Sequence, residues 1–176
     1  MMNRLVAFIA SVLVVLVLPA PGFAQSFGGA FDGVGDNDQP IQIEADSLEV
    51  IDDQNTALLT GNVNVVQGST ILKARQITVY YLRKGEGNKS KSGIRKIVAS
   101  GKVAVRSQDN FASADNAVVD MVSEIVTMTG NVFISQGNNI ANGCKIVVNL
   151  KTNVSKIEPC SGRVKLLLDP KSRKNN

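Results

Sequence analysis

Histidine is absent from the 176 residues, and so is tryptophan. The first absence excludes Ser–His and Cys–His nucleophilic catalysis, the usual zinc sites and the iron site built from two histidines and a carboxylate. Aromatic residues make up 5% of the chain. A nucleic-acid binder interleaves stacking aromatics with a basic stripe; neither is present, so no nucleic-acid partner is expected. Walker-type phosphate binding fails too, because Gly101-Lys102 runs into Val103 where Ser or Thr is required, with no upstream glycine. Asp32, Asp36 and Asp38 lack the spacing and closing glutamate of an EF-hand. Neither a metal nor any other cofactor is expected. The net charge of +4 is modest and scattered, denser only between Arg83 and Lys91 and in the tail, which favours solubility and acidic partners.

The N-terminus reads as an address. Arg4 precedes an apolar run from Leu5 to Leu18, interrupted only by Ser11; Pro19 and Pro21 then break any helix, and Gly22-Phe23-Ala24 offers small residues at the cleavage positions. The run falls short of the ~20 residues of a spanning helix. Residues 1–24 are therefore expected to be a cleaved signal peptide, the other reading being a retained membrane anchor. Residues 25–38, rich in Gly and Asp without a period, make a flexible linker. A single domain follows over 39–170, with a basic tail at 171–176.

The domain repeats. Gly-Asn-Val-Asn-Val begins at Gly61, Gly-Lys-Val-Ala-Val at Gly101, Gly-Asn-Val-Phe-Ile at Gly130 and Gly-Arg-Val-Lys-Leu at Gly162, each glycine preceded by Ser or Thr. A second string opens at Ala74, Ala114 and Ala141, with an extra copy at Ala45. The unit is roughly 30 residues, a period that signals stacked supersecondary units. Counted from each glycine, the even positions are apolar or amphipathic: Val63, Val65, Ile77, Val79 and Tyr81; Val103, Val105, Ala117, Val119 and Met121; Val132, Ile134, Ile146, Val148 and Leu150; Val164, Leu166 and Leu168. The odd positions are mixed. Period two with one uniformly apolar face is the mark of half-buried antiparallel strands. Turns are expected at Gln67-Gly68-Ser69, Ser107–Asn110 and Gln136–Asn139. The recurrent glycine, with strand pattern on both sides, predicts a bulge or sharp bend. Lys84 to Gly93 has nothing to bury and predicts an exposed, mobile loop.

Three segments carry a family resemblance: Gln-Pro-Ile-Gln-Ile-Glu-Ala-Asp from Gln39, the stretch from Thr60 to Gly68, and Thr-Gly-Asn-Val-Phe-Ile-Ser-Gln from Thr129. Together they resemble the OstA-like lipopolysaccharide-transport proteins, over residues 39 to about 170. The resemblance implies an all-β, open, twisted antiparallel β-jellyroll that binds the lipid A part of lipopolysaccharide. It implies a periplasmic location and no enzymatic activity. It further implies head-to-tail self-assembly into a bridge between inner and outer membranes, with inner-membrane-anchored and outer-membrane subunits of the transporter as partners.

The residues support a physical version of that expectation. Acyl chains need a lining that excludes water, and each buried methylene contributes about 0.8 kcal/mol. The lining would be Val63, Val65, Ile77, Val79, Val103, Val105, Val119, Met121, Val132, Ile134, Ile146 and Val148. The bland counterpart is an ordinary sandwich core. Terminal strands at Ile41–Ile43 and Val164–Leu168 would lack an outer partner, so Ile41, Ile43, Val164, Leu166 and Leu168 mark candidate assembly edges. Lys165, Asp169, Lys171, Arg173 and Lys174 could instead block the second of these.

Cys144 and Cys160 both fall at even positions, so both are expected to point inward. A hairpin turning at Lys151-Thr152-Asn153 pairs residues whose numbers sum to 304, which sets the two cysteines opposite each other. An exported protein allows a disulfide there; two buried free thiols satisfy the same positions if the register slips by one. A different class of reading is a glycosidase-like pair among Glu44, Asp46, Asp115 and Asp120, but Asp46 and Asp115 each follow an alanine of the repeat and read as structural. The membrane-anchored subunit of the same pathway and a structural β-module without lipid cargo complete the alternatives.

Overall fold

The computed structural model describes residues 39–83 and 93–169. The expected signal peptide, linker and basic tail, and most of the charged loop, lie outside these residues. Alternating apolar residues build ten strands: β1 (Ile41–Glu44), β2 (Ser47–Ile51), β3 (Thr56–Gln67), β4 (Thr70–Tyr81), β5 (Ile94–Ser107), β6 (Asn110–Asp120), β7 (Ile125–Gln136), β8 (Asn139–Asn149), β9 (Val154–Glu158) and β10 (Lys165–Leu167). All pairings are antiparallel. The order is β1-β3-β4-β5-β6-β7-β8-β10, with β2 beside β3 and β9 beside β8. From β2 to β9 neighbours in space are neighbours in sequence, as in a hairpin meander, while β1 and β10 each skip one strand to pair with β3 and β8; the sheet does not close on itself among the described residues. This is the expected open all-β architecture.

The recurrent glycines do mark bulges. Register shifts fall between Thr60 and Val63, Ser100 and Val103, and Thr129 and Val132. Each site holds two successive residues at positive φ, as at Gly130 (φ 78) and Asn131 (φ 46). The Asn131 amide donates to Asp115 Oδ2 across the bulge at 2.9 Å, and Asn62 donates likewise to Asp46 at 3.0 Å. A Cβ on Gly130 would run into the Asp115 carboxylate, so the glycine is required twice over, by conformation and by space.

The bulges form a crease that divides every long strand. On one side lies the β2 half: β2, the first parts of β3, β5 and β7, the second parts of β4, β6 and β8, and β9. On the other lies the β1 half, which carries β1, the remaining parts and β10. Two-residue turns close the far rim of the β1 half at Gly68-Ser69, Gln108-Asp109 and Gly137-Asn138, as the sequence predicts. Four-residue turns close the far rim of the β2 half at Asp52–Asn55, Met121–Glu124 and Leu150–Asn153, each ending in a residue at positive φ.

One expectation fails at the last of these turns. The observed pairs, from Lys145↔Glu158 to Asn149↔Val154, sum to 303 rather than 304, because the turn takes four residues and not three. Simple alternation also fails in β4, β6 and β8. Their inward residues change parity at the crease, from Ala74 to Ile77, from Ala114 to Ala117 and from Ala141 to Ile146. The extra residue that each bulge sets opposite its partner causes the change.

Candidate functional site

The inner faces of the two halves meet round one apolar interior. Cross-strand rows define it. In the β2 half, one row runs Ala57, Val79, Ile97, Val119, Val126, Val148, and the next Leu59, Ile77, Ala99, Ala117, Met128, Ile146. In the β1 half, the row runs Ile43, Val65, Leu72, Val105, Ala112, Ile134, Ala141, Leu166. Val63, Val103 and Val132, all buried, line the crease. Every residue expected from the sequence to line the trough faces this interior: ten of the twelve named are buried or nearly so, and Val65 and Met121 are half-buried. Leu72, Ala74, Ala112, Ala114 and Ala141 also face it and were missed, because the parity change hides them from a count that starts at the glycine. Tyr81, also counted as inward, is 42% exposed at the mouth of an apolar groove with Leu48 and Val50.

The interior is hollow at one end and packed at the other. Between β3 and β6, Val65, Leu72 and Val105 from one half and Ile97, Ala117 and Val119 from the other line a partly open cavity of about 80 Å³. It exists because Ala99 and Ala117 pair where the same row elsewhere carries Ile77, Met128 and Ile146. From β6 to β8, Val126, Met128, Ile146 and Val148 are at 0% exposure. A cavity of ~150 Å³ admits one benzene ring, so this cavity alone does not hold an acyl chain of a dozen carbons; the apolar groove lined by Ile43, Leu48, Ala57, Leu59, Val79 and Tyr81 is larger, about 290 Å³.

The terminal strands are open edges. Among the described residues, β1 and β2 pair only with β3, and β9 and β10 only with β8. Ile41 and Ile43 are about half exposed (48% and 50%), as are Leu166 (51%) and Leu168 (45%), and Val164 is partly so. The second edge is shorter than expected: β10 spans Lys165–Leu167, with Val164 and Leu168 flanking it. Gly162, the fourth of the repeated glycines, keeps positive φ but lies between β9 and β10 rather than in a strand. The backbone N–H of Asp169 donates to Asn139 Oδ1 at 2.9 Å and holds the end of β10 against the β7–β8 turn.

Cys144 and Cys160 form a disulfide, with Cα atoms 4.7 Å apart. They meet for a reason other than ladder register. The chain leaves β8 after Glu158, and the excursion to β10 brings Cys160 back over Cys144. Cys160 is accordingly exposed, not inward, and Cys144 half-buried. Cys144 stands two residues before Ile146 as Asp115 stands two before Ala117, but Cys160 precedes its glycine, Gly162, where Asn62 and Asn131 follow theirs.

The four carboxylates considered for acid–base chemistry are dispersed. Asp46 and Asp115 bind the bulge asparagines, and Glu44 accepts from Gln42 at 3.2 Å and Asn64 at 3.3 Å. Asp120 Oδ1 accepts the backbone N–H groups of Val122 and Ser123 at 3.0 and 2.9 Å. The Ser123 N–H holds this carboxyl below its ordinary value, against an opposing effect of burial; the Ser123 hydroxyl, the Val122 N–H and the Lys96 charge add to the lowering.

The family described as LptA/(LptD N-terminal domain) LPS transport protein matches residues 42–154. An uncharacterized protein of Rhizobium meliloti (strain 1021) is 38% identical over 165 residues, 91% of this chain and 88% of its own. The lipopolysaccharide export system protein LptA of Escherichia coli (strain K12) is 28% identical over 122 residues, covering 69% of this chain and 66% of that protein. LptH of Pseudomonas aeruginosa, likewise a lipopolysaccharide export system protein, is 28% identical over 153 residues, covering 78% and 83%. A crystal structure of LptH, described as the LptA-homologous periplasmic component of the lipopolysaccharide transport device, superposes with a TM-score of 0.63. That match has 21% identity over 77% of this chain and 99% of that one, and so speaks to the fold.

Proposed function

This chain belongs to the LptA/LptD N-terminal domain family of lipopolysaccharide-transport proteins, and from that premise we propose that it is a periplasmic carrier of lipopolysaccharide. The acyl chains of lipid A lie against the inner rows of both halves, with Val63, Val65, Ile77, Val79, Val103, Val105, Val119, Met121, Val132, Ile134, Ile146 and Val148 as the lining. The observation that carries the reading is an apolar interior running between two open, exposed apolar edges. A lipid held there passes to a like site in the next molecule at similar free energy, so the carrier needs no nucleotide site of its own.

Drawing an acyl chain into the cavity between β3 and β6 requires the halves to part along the crease, because that cavity measures about 80 Å³ at rest. Strands are continuous across that crease while their ladder bonds are locally broken, which makes it a hinge line. Assembly uses the β1 edge of one copy against the β10 edge of the next, a heterologous contact that gives open filaments. The same edges dock the membrane-anchored and outer-membrane subunits, completing a bridge between the two membranes. Residues 1–24 direct export and are removed, so the mature chain starts near Gln25, which N-terminal sequencing would read.

The direct test places photo-crosslinking residues in β5 in living cells. Ile97 and Val105 face the interior, while their neighbours Val98 and Ala104 face outward. Lipopolysaccharide adducts confined to the first pair are expected. Adducts at both pairs alike, or at neither, would remove the carrier role. The small resting cavity favours one rival, a structural β-module without lipid cargo, and that rival predicts no adducts. Light scattering of the purified protein should show mass rising with concentration; a strict monomer at high concentration would remove the filament.

A further inference from the structure

The two rims of the interior differ in polarity. Along the two-residue-turn rim of the β1 half, the inward register position is polar in every long strand: Gln67, Thr70, Ser107, Asn110, Gln136 and Asn139 form one continuous cross-strand row. Gln67, Thr70, Ser107 and Asn139 are buried, and Asn110 and Gln136 are half-buried. The Thr70 hydroxyl lies 3.2 Å from Ser107 Oγ, and the Gln67 amide donates to the Gln39 carbonyl at 3.3 Å. The opposite rim is mainly apolar, with Ile94, Met121 and Leu150 packed against the core; its one buried polar side chain in β3, Thr56, donates its hydroxyl to the Gln54 carbonyl at 3.0 Å. Both rims meet at the cavity, where Gln67 and Thr70 stand on its wall together with Ile94.

A rim that only sealed a hydrophobic core against an apolar partner would be more stable if it were apolar as well, since a buried hydroxyl or amide costs desolvation that an aliphatic residue avoids. Six polar residues in one continuous row on one rim, against the single, internally bonded Thr56 on the other, fit an amphiphile that enters between the rims with its head on one side. We propose that this row is a rail for the sugar and phosphate head of the lipid, and that it fixes which way the lipid lies in the trough. Asn110 and Gln136, central and half-buried, hydrogen-bond the glucosamine hydroxyls, amides or phosphate oxygens, while the acyl chains turn toward the β2 half. The inference rests on the carrier reading above and adds the orientation of the cargo to it.

A benzophenone side chain is placed at Asn110 in one protein and at Val105 in another. Each mature protein is irradiated with purified lipopolysaccharide, and the adducts are mapped by mass spectrometry. Adducts from Asn110 should fall on the sugar–phosphate portion and those from Val105 on acyl chains. Asn110 adducts on acyl chains, or none from Asn110 while Val105 reacts, would overturn the rail and leave the carrier standing. No adducts from either position would bring down both. Independently, the double substitution Asn110→Ala and Gln136→Ala should weaken lipopolysaccharide binding about tenfold with an unchanged melting temperature, the loss expected of two ordinary hydrogen bonds. Unchanged affinity would overturn the rail.

Discussion

The stretch from β3 to β6 and the stretch from β6 to β8 are built from the same repeat, yet one is hollow and the other solid. In the solid stretch, Met128 and Ile146 fill the inner row and reach 0% exposure. In the hollow one, Ala99 faces Ala117 at the same level and leaves a cavity of about 80 Å³. The ladder hydrogen bonds are alike in both, so the backbone sets the trough and side-chain volume alone decides where it is empty. Tight packing and empty volume therefore reside at opposite ends of one sheet.

That division is open to a direct attack, and the largest effect should come from the solid end. Met128→Ala removes a fully buried side chain and should cost about 3–5 kcal/mol, whereas Leu72→Ala, half-buried beside an existing void, should cost about 2 kcal/mol or less. Urea unfolding midpoints measure both. Equal losses would mean that the two ends are packed alike, and the comparison would fall.

The ends also differ in how a broken strand is clasped. At the first unit, the break between β1 and β2 is held by the exposed Asn62–Asp46 hydrogen bond and by the Asp46 N–H on the Gly61 carbonyl. At the last unit, the break between β9 and β10 is held by the Cys144–Cys160 bridge. Substituting both cysteines by alanine should lower stability by up to about 3 kcal/mol, the loop-closure value for a loop of ~15 residues. It should also speed amide exchange at Leu166 and Leu167, since β10 pairs with β8 at only three positions. Asn62→Ala should cost about 1 kcal/mol or less. Exchange at β10 that ignores the bridge would show that the disulfide clasps nothing.

A further substitution sharpens the comparison by making the hollow end resemble the solid one. Ala117→Leu fills the void with three further carbons and should raise stability by about 1 kcal/mol, as cavity filling commonly does. In the same protein, lipopolysaccharide adducts at Ile97 and Val105 should fall. A stabilised variant that still took up lipid would place the cargo elsewhere.

Much of this was legible in the residues. Alternation from each glycine and the turn residues between gave the long strands, the bulges, the places of three hairpin turns and an inner face that the burial of Val63, Ile77, Val132 and Ile146 bears out. What escaped lies where one residue is added to a ladder. A bulge shifts parity in the partner strand, so Leu72 and Ala112 face inward although a fixed count puts them out. The last turn was read one residue short. Yet Asp120-Met-Val-Ser-Glu-Ile and Asn149-Leu-Lys-Thr-Asn-Val align position for position, and that alignment carries the four-residue turn. The polar rim was visible only once register put Gln67, Ser107 and Gln136 side by side, because residues from separate turns share no spacing.

Those two aligned turns offer the smallest and cleanest contrast. Asp120 Oδ1 accepts the N–H groups of Val122 and Ser123, and Asn149 Oδ1 accepts that of Thr152, so one turn is capped by a charge and the other by a neutral amide. The Asp120 carboxyl is held below its ordinary 3.8, chiefly by the Ser123 N–H. Its folded value thus lies under its unfolded one, and the contribution is full above the unfolded value and lost as pH falls through the folded one. Asp120→Asn should therefore lower stability slightly at pH 7 and lose that effect as pH falls through the folded value, while Asn149→Ala should lower it by a similar amount throughout. Because Asp120 is largely solvent-screened, its effect should rank below every other named here. Parallel pH profiles for the two variants would mean that backbone geometry, not charge, holds both turns.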